Sequence, residues 1–257
     1  MTVSPRMILN IWTKIKYIRI IFRCLWYVIY IYPTYFYYTI TKKKTPYDKR
    51  YAKTKKTLTK LSRLLDIEYH VTGYDKLDPN ERYYFAPNHQ SFFDSLSMII
   101  LSEGRHLRCV AKKEARKMPV AGKIIYSIDS LFLDRKDLRQ SVKIMREAGN
   151  ILSGGEQDVL IFPEGTRSKN ANHEMNEFKS GALKPAFYAK KGIVPVCFYG
   201  TPDILDPKVF KKKYHVQVCF LDVVPYEEAE KLGTQELAVV LKEKIQEKYN
   251  ELKNNKF

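Results

Sequence analysis

The sequence predicts an α/β fold: a single catalytic domain with a central mixed sheet flanked by helices, preceded by an N-terminal membrane-anchoring helical segment. Three observations lead there. From about Tyr51 onward, compact apolar runs alternate with longer stretches of helical period. Polar or glycine-bearing turns follow those runs, the place where α/β folds carry their sites. Finally, the charge is lopsided. The formal net charge is +17, and the first 60 residues hold 14 of the 45 basic residues but only one acidic residue, Asp48. The rest is nearly balanced, 31 basic against 27 acidic, so the anion-seeking part of the chain is its N-terminal part.

Within that part, Ile8, Ile11, Trp12, Ile15, Ile18, Phe22, Leu25, Trp26 and Ile29 recur at helical spacing, with Lys16, Arg19 and Arg23 along one flank. This is the pattern of a helix lying in a membrane interface. Cys24 to Ile40 carries no charge and is about 17 residues long, the lower limit for a span. Pro33 interrupts it and six tyrosines crowd it, a residue that prefers the headgroup level. The basic stretch TKKKTPYDKR follows and suits anionic lipid. The expectation is an anchor over residues 1–50, monotopic or re-entrant with two helices bent at Pro33 rather than a full span. It would hold a catalytic domain, residues 51–257, on the cytoplasmic face of the cell membrane. The segment is too aromatic for a signal peptide and has no small-residue cleavage site. Cys24, Cys109, Cys197 and Cys219 are widely separated and form no CxxC, so they read as reduced thiols, the last three in buried strands.

Along the body, Tyr51–Leu65 reads as a basic helix, IEYHVTG (67–73) as a half-buried strand, and YYFAP (83–87) as a short strand. Ser91–Ser102 is helical. LRCVA, SLFLD and DVLIFP are strands, with helices over Asp137–Leu152 and Lys179–Lys190. IVPVCFYG and HVQVCFLDVV are late strands, followed by a charged amphipathic helix over Gln235–Leu252.

Two histidines stand before an aspartate with four residues between: His70 with Asp75, and His89 with Asp94. A His–Asp pair can serve as a general base and its orienting partner. His70 lies inside a strand, and Gly73 turns the chain before Asp75, so it reads as an ordinary strand histidine. His89 lies between a strand and a helix. Ser91 fits an N-cap and Asp94 the fourth position of the S-x-x-D capping pattern, which by itself explains the aspartate; yet the same placement lets Asp94 reach His89. FPEGTRS (162–168) follows a strand and turns on Gly165, suiting an oxyanion or phosphate, or forming a surface turn with a solvated arginine. LFLDR puts Asp134 and Arg135 after another strand, where a structural ion pair is the simpler reading.

In this order and spacing, NHQSFFD, LFLDR, FPEGTRS and IVPVCFYG resemble the glycerophospholipid acyltransferase family, specifically the 1-acylglycerol-3-phosphate O-acyltransferases, over roughly Tyr69 to Gly200. The resemblance implies His89 as general base and Asp94 as its partner. It implies Lys112, Arg135, Glu164, Gly165, Thr166 and Arg167 as the phosphate-binding side, and Ile193, Val194, Pro195 and Val196 as an acyl-chain pocket. It further implies acyl transfer from acyl-CoA or acyl carrier protein to the sn-2 hydroxyl of lysophosphatidic acid, giving phosphatidic acid. Neither a cofactor, a metal nor a covalent enzyme intermediate is expected. The pattern departs at Ser130, where the family often has glycine, and at Ala115, where AKKEA replaces a terminal leucine. No G-x-S-x-G, HExxH, GxxxxGK or GxGxxG occurs, which removes serine acyl-enzyme, zinc-protease, P-loop and dinucleotide readings. Membrane lipids are expected partners and nucleic acid is not, since the basic aromatic segment is a nearly continuous apolar helix without an RNP-like motif. The alternative within the class is an acyltransferase for another lysophospholipid or glycerol position.

Overall fold

The computed structural model of the chain describes residues 5–168, 174–204, 206, 209 and 211–254, with the side chains of Ile15 and of residue 18 onward. Ile8, Ile11, Trp12 and Lys16 of the amphipathic run therefore lie outside the described side chains. The elements are α1 (Pro5–Thr41), α2 (Tyr47–Leu64), β1 (Ile67–Thr72), β2 (Tyr84–Pro87), α3 (Phe92–Leu101), β3 (Leu107–Lys112), α4 (Ala121–Ser127), β4 (Leu131–Leu133), α5 (Leu138–Ser153), β5 (Asp158–Leu160), α6 (Ser180–Ala189), β6 (Ile193–Tyr199), β7 (Tyr214–Phe220) and α7 (Tyr226–Asn254). The last helix starts nine residues before the periodicity predicts, because Gly233, with φ of +69°, breaks the phase between two helical pieces.

Seven strands form one mixed sheet in the order β1-β7-β6-β2-β5-β3-β4. Every neighbouring pair is parallel except β6 with β7. The polarity has a direct consequence. The C-terminal ends of β6, β2, β5, β3 and β4 open onto one edge of the sheet, and because β7 runs the other way with β1 beside it, the starts of β7 and β1 share that edge.

Two apolar layers cover the faces. One packs α1–α4 against Phe85, Leu107, Leu160, Val194, Val196, Phe198, Val216 and Val218; the other packs α5–α7 against Tyr84, Val159, Ile193, Cys197 and Cys219. On β6 the period-two alternation sends Ile193 to one layer and Val194 and Val196 to the other, and all three are fully buried with Pro195 between them. The residues expected to form an acyl pocket, Ile193, Val194, Pro195 and Val196, thus lie on a central strand covered on both faces. Cys109, Cys197 and Cys219 are buried and all four cysteines are free, although Cys197 and Cys219 stand opposite each other in the β6–β7 ladder.

The segment expected to be two helices bent at Pro33 is one continuous helix with Pro33 inside it. Tertiary packing on both sides of the proline outweighs its cost. Ile20, Tyr27, Ile31, Tyr35 and Tyr38 form a buried stripe, and the Tyr27 hydroxyl donates to the Thr57 carbonyl at 3.2 Å. Lys60 sits 5.0 Å from the centre of the Tyr27 ring. Tyr27, Tyr35 and Tyr38 are thus core residues and not headgroup anchors. The opposite face exposes Ile18, Phe22, Leu25, Trp26, Ile29, Tyr30 and Ile40. Among the described residues, no helix is long and apolar enough to cross a membrane. Behind α1, the buried Arg50 of α2 pairs with Asp129 at 2.9 Å and so ties this helix to the turn before β4. Truncating the two faces separates their roles. Tyr35→Ala is expected to cost about 3 kcal/mol or more in denaturant unfolding, as large aromatic deletions in cores do, whereas Trp26→Ala should shift stability by no more than about 0.5 kcal/mol.

Candidate active site

His89 leaves the end of β2 and is held at both main-chain atoms by the FPEGTRS turn. Its N–H donates to Glu164 Oε1 at 2.5 Å, and its carbonyl accepts from the Ser168 N–H at 2.8 Å. The imidazole stacks on Phe162, with centroids 4.1 Å apart and planes at 29°. Just before it, the buried Asn88 side chain exchanges two hydrogen bonds with the backbone of Phe198 on β6, at 3.0 and 2.7 Å. The two motifs are therefore a single structure around one histidine, fixed between β6, β2 and β5.

Asp94 does two jobs with one carboxylate. Oδ2 accepts from the N–H groups of Gln90 and Ser91, both at 2.7 Å, closing the capping box at the start of α3. The same oxygen lies 2.9 Å from His89 Nδ1. Oδ1 accepts from the Thr201 hydroxyl at 2.5 Å, and Asp94 and Thr201 are both fully buried. With Nδ1–H committed to Asp94, Nε2 is the imidazole nitrogen left to take a proton, and no described residue hydrogen-bonds to it. The capping box and the contact with His89 thus coexist on one carboxylate.

Thr201 was not singled out by sequence. It follows Gly200, whose φ of +91° and close approach to the His215 carbonyl (a Cβ would stand 2.4 Å from that oxygen) leave room only for glycine. The glycine at the end of IVPVCFYG was the available signal. Lys179 was likewise missed. It precedes α6, and its side chain lies against Gly165, within 3.3–3.4 Å of where a Cβ would be.

The phosphate-side candidates separate into groups. The Glu164 carboxylate is buried and turned inward, accepting from the His89 N–H and from the Asn176 N–H at 2.8 Å, so it holds backbone on both sides of the turn. Gly165 takes a φ of +71° to form the turn, and Thr166 and Arg167 are exposed beyond it. Lys112 ends β3, half exposed and 3.5 Å from Glu114. Arg135 follows β4; its neighbour Asp134 pairs with Lys113 at 3.0 Å, so the ion pair read from LFLDR involves a different cation. All lie at the same sheet edge, but at ~4.8 Å per strand β5 is one step from His89 and β4 three, a lateral distance of ~14 Å. His70 does not meet Asp75; its Nε2 lies 3.1 Å from Nδ1 of His215.

Burial raises the Glu164 pKa, opposed by its two backbone hydrogen bonds. A carboxyl whose folded pKa is raised takes up a proton on folding between the unfolded and folded values. Its contribution to stability is full below the ordinary carboxylate range and fades as pH rises through the folded value. Glu164→Gln should remove that falling limb from a stability-against-pH series. It should also cost about 1–3 kcal/mol, because one of the two buried N–H groups faces a donor.

The sequence profile described as Acyltransferase matches residues 68–199. The chain is similar to 1-acyl-sn-glycerol-3-phosphate acyltransferase alpha of Homo sapiens, 32% identical over 162 residues, covering 63% of this chain and 56% of that protein. A Mycoplasma genitalium protein named a probable 1-acyl-sn-glycerol-3-phosphate acyltransferase is 35% identical over 135 residues, 51% of this chain and 49% of its own. The chain spans about half the length of the curated relatives it matches. In fold it is like the 1-acyl-sn-glycerophosphate (LPA) acyltransferase PlsC from Thermotoga maritima, with a TM-score of 0.72 over 94% of this chain and 99% of that one, at 23% identity. Since the profile spans half of the chain and includes His89, Asp94 and the turn that grips them, the chain belongs to the acyltransferase family.

Proposed function

We propose that the chain transfers an acyl group from an acyl thioester, acyl-CoA or acyl carrier protein, to the free sn-2 hydroxyl of 1-acylglycerol-3-phosphate, giving phosphatidic acid. The observation that carries this reading is His89, fixed at both main-chain atoms with Nδ1 on a buried carboxylate, beside a turn bearing an exposed arginine. Support comes also from the curated relatives named for this reaction. Nε2 removes the hydroxyl proton as that oxygen attacks the thioester carbonyl. The tetrahedral adduct expels the thiolate, which takes the proton back from the imidazolium. Asp94 holds the ring and offsets its transient charge. No enzyme-bound acyl group forms and no cofactor is consumed.

The acceptor's phosphate is assigned first to Gly165, Thr166 and Arg167, one strand from His89. Lys112 and Arg135 lie two and three strands away and supply longer-range positive charge. The outer face of α1 is assigned to one leaflet of a membrane, as a monotopic anchor on the cytoplasmic side, with residues 1–50 as the anchoring unit and 51–257 as the catalytic one. The free cysteines fit a reducing compartment.

Acyl transfer, read as free thiol released from acyl-CoA with a panel of lysophospholipid acceptors, tests the reading; turnover confined to acceptors without a phosphomonoester would replace it with another lysophospholipid acyltransferase. Loss of a general base costs about 10²–10⁴-fold in rate, so His89→Ala should lose that much turnover with the fold intact by circular dichroism. Arg167→Lys keeps the charge but loses the planar fork; it should raise KM for lysophosphatidic acid while sparing acceptors that lack a phosphomonoester. Equal losses on both acceptors would make Arg167 structural.

A further inference from the structure

One cluster of chemistry-bearing side chains is left unused by the reaction. Glu68 and His70 alternate onto one face of β1, and His215 on β7 stands directly across from Glu68 in the parallel ladder. That face is opposite to Tyr69 and Val216, which join the α1–α4 layer, and His215 is exposed while Glu68 and His70 are partly so. His70 Nε2 lies 3.1 Å from His215 Nδ1, and Glu68 Oε2 lies 3.8 Å from that same nitrogen. One donor atom from each of the three falls within 4.8 Å of the others.

We propose that Glu68, His70 and His215 form a binding site for a transition-metal dication of the zinc class, bridging the edge strand β1 to β7. Metal–nitrogen bonds of ~2.0–2.1 Å in a tetrahedron separate two donors by roughly 3.3 Å, close to the spacing the two imidazoles already hold. Two imidazoles with one carboxylate suit Zn²⁺, Ni²⁺, Co²⁺ or Cu²⁺, whereas Mg²⁺ and Ca²⁺ call for oxygen ligands. The fourth position is left for water. Lys213 pairs with Glu68 Oε2 at 2.8 Å and competes for it, but both groups are about half exposed, and such a pair is worth little.

The position gives the site a role. β1 is one of the two outer strands, and among the described residues its one ladder partner is β7, so a metal clasp reinforces an edge of the sheet joined by a single pairing. The start of β7 also backs onto Gly200, and Gly200 leads into Thr201, which holds Asp94. The clasp therefore lies at the active-site edge without touching the reacting groups. It is a structural site that stabilises the native chain by mass action.

Thermal unfolding of the full chain in detergent, with Zn²⁺ or with Mg²⁺, tests the proposal, alongside titration calorimetry with Zn²⁺. Zn²⁺ should raise the midpoint and bind one per chain, and Mg²⁺ should do neither. His70→Asn and His215→Asn should each lose the Zn²⁺-dependent rise, and Glu68→Gln should reduce it, while acyl transfer without added metal stays at the wild-type level. Co²⁺ should give visible absorption bands of a tetrahedral nitrogen–oxygen site that Zn²⁺ displaces, a reading that does not need the variants. No rise with Zn²⁺, or an undiminished rise in the His70→Asn/His215→Asn double variant, overturns the proposal; the latter outcome would put the ion elsewhere, on a free thiol for example.

Discussion

The site depends on how the backbone of one residue is held. His89 begins a connection between a strand and a helix, where neither ladder nor helical hydrogen bonds serve its main-chain atoms, and a second segment some 75 residues later supplies both partners. Glu164 is expensive to bury and is retained because a carboxylate can accept from His89 and Asn176 at once. Once the main chain is fixed, the ring packs against Phe162 and its Nδ1 meets Asp94. Strand polarity does the rest, bringing four signatures that are scattered in sequence to a common edge.

Much of this was legible in the sequence. The strand–helix alternation marked all seven strands, and the position of His89 between a strand and a capped helix distinguished it from His70. The roles hidden from the sequence were those created by long-range contacts. Nothing local in FPEGTRS says that its glutamate faces inward while its arginine faces outward; the carboxylate turns in because it meets His89 from another strand. Thr201 is invisible for the same reason, since its partner Asp94 lies 107 positions away. Ile193–Val196 illustrate the converse limit. The motif is plain in the sequence, but only the sheet order shows that its side chains pack within the two cores, since a central strand spends both faces on packing.

Helix α1 shows why amphipathicity alone did not separate a docked helix from an interfacial one. Apolar residues cover both of its sides. Those at 20, 27, 31, 35 and 38 repeat on one stripe and are buried on the body, while aromatic and aliphatic residues between them remain exposed. Hydropathy summed along the segment merges the two stripes into what reads as a short span, and Pro33 reads as a break when neighbours on the same stripe hold the helix together. A continuous apolar face on a docked helix is larger than a monomer ordinarily leaves to water, which is the physical basis for assigning it to lipid.

The pairing of β2 also sets an order of events during synthesis. Its ladder partners are β5 and β6, beginning at Asp158 and Ile193, and the hydroxyl that completes Asp94's shell arrives only with Thr201. On a ribosome adding ~5–20 residues per second, α1 and α2 are long exposed before the central strand of the sheet has anything to pair with. Helix α1, with its exposed apolar face, is thus available to its surroundings while His89 is still on an unpaired strand. The chain presents its apolar helix well before the surroundings of His89 are assembled, and the hazardous interval is the one in which β2, apolar and unpaired, waits for its neighbours.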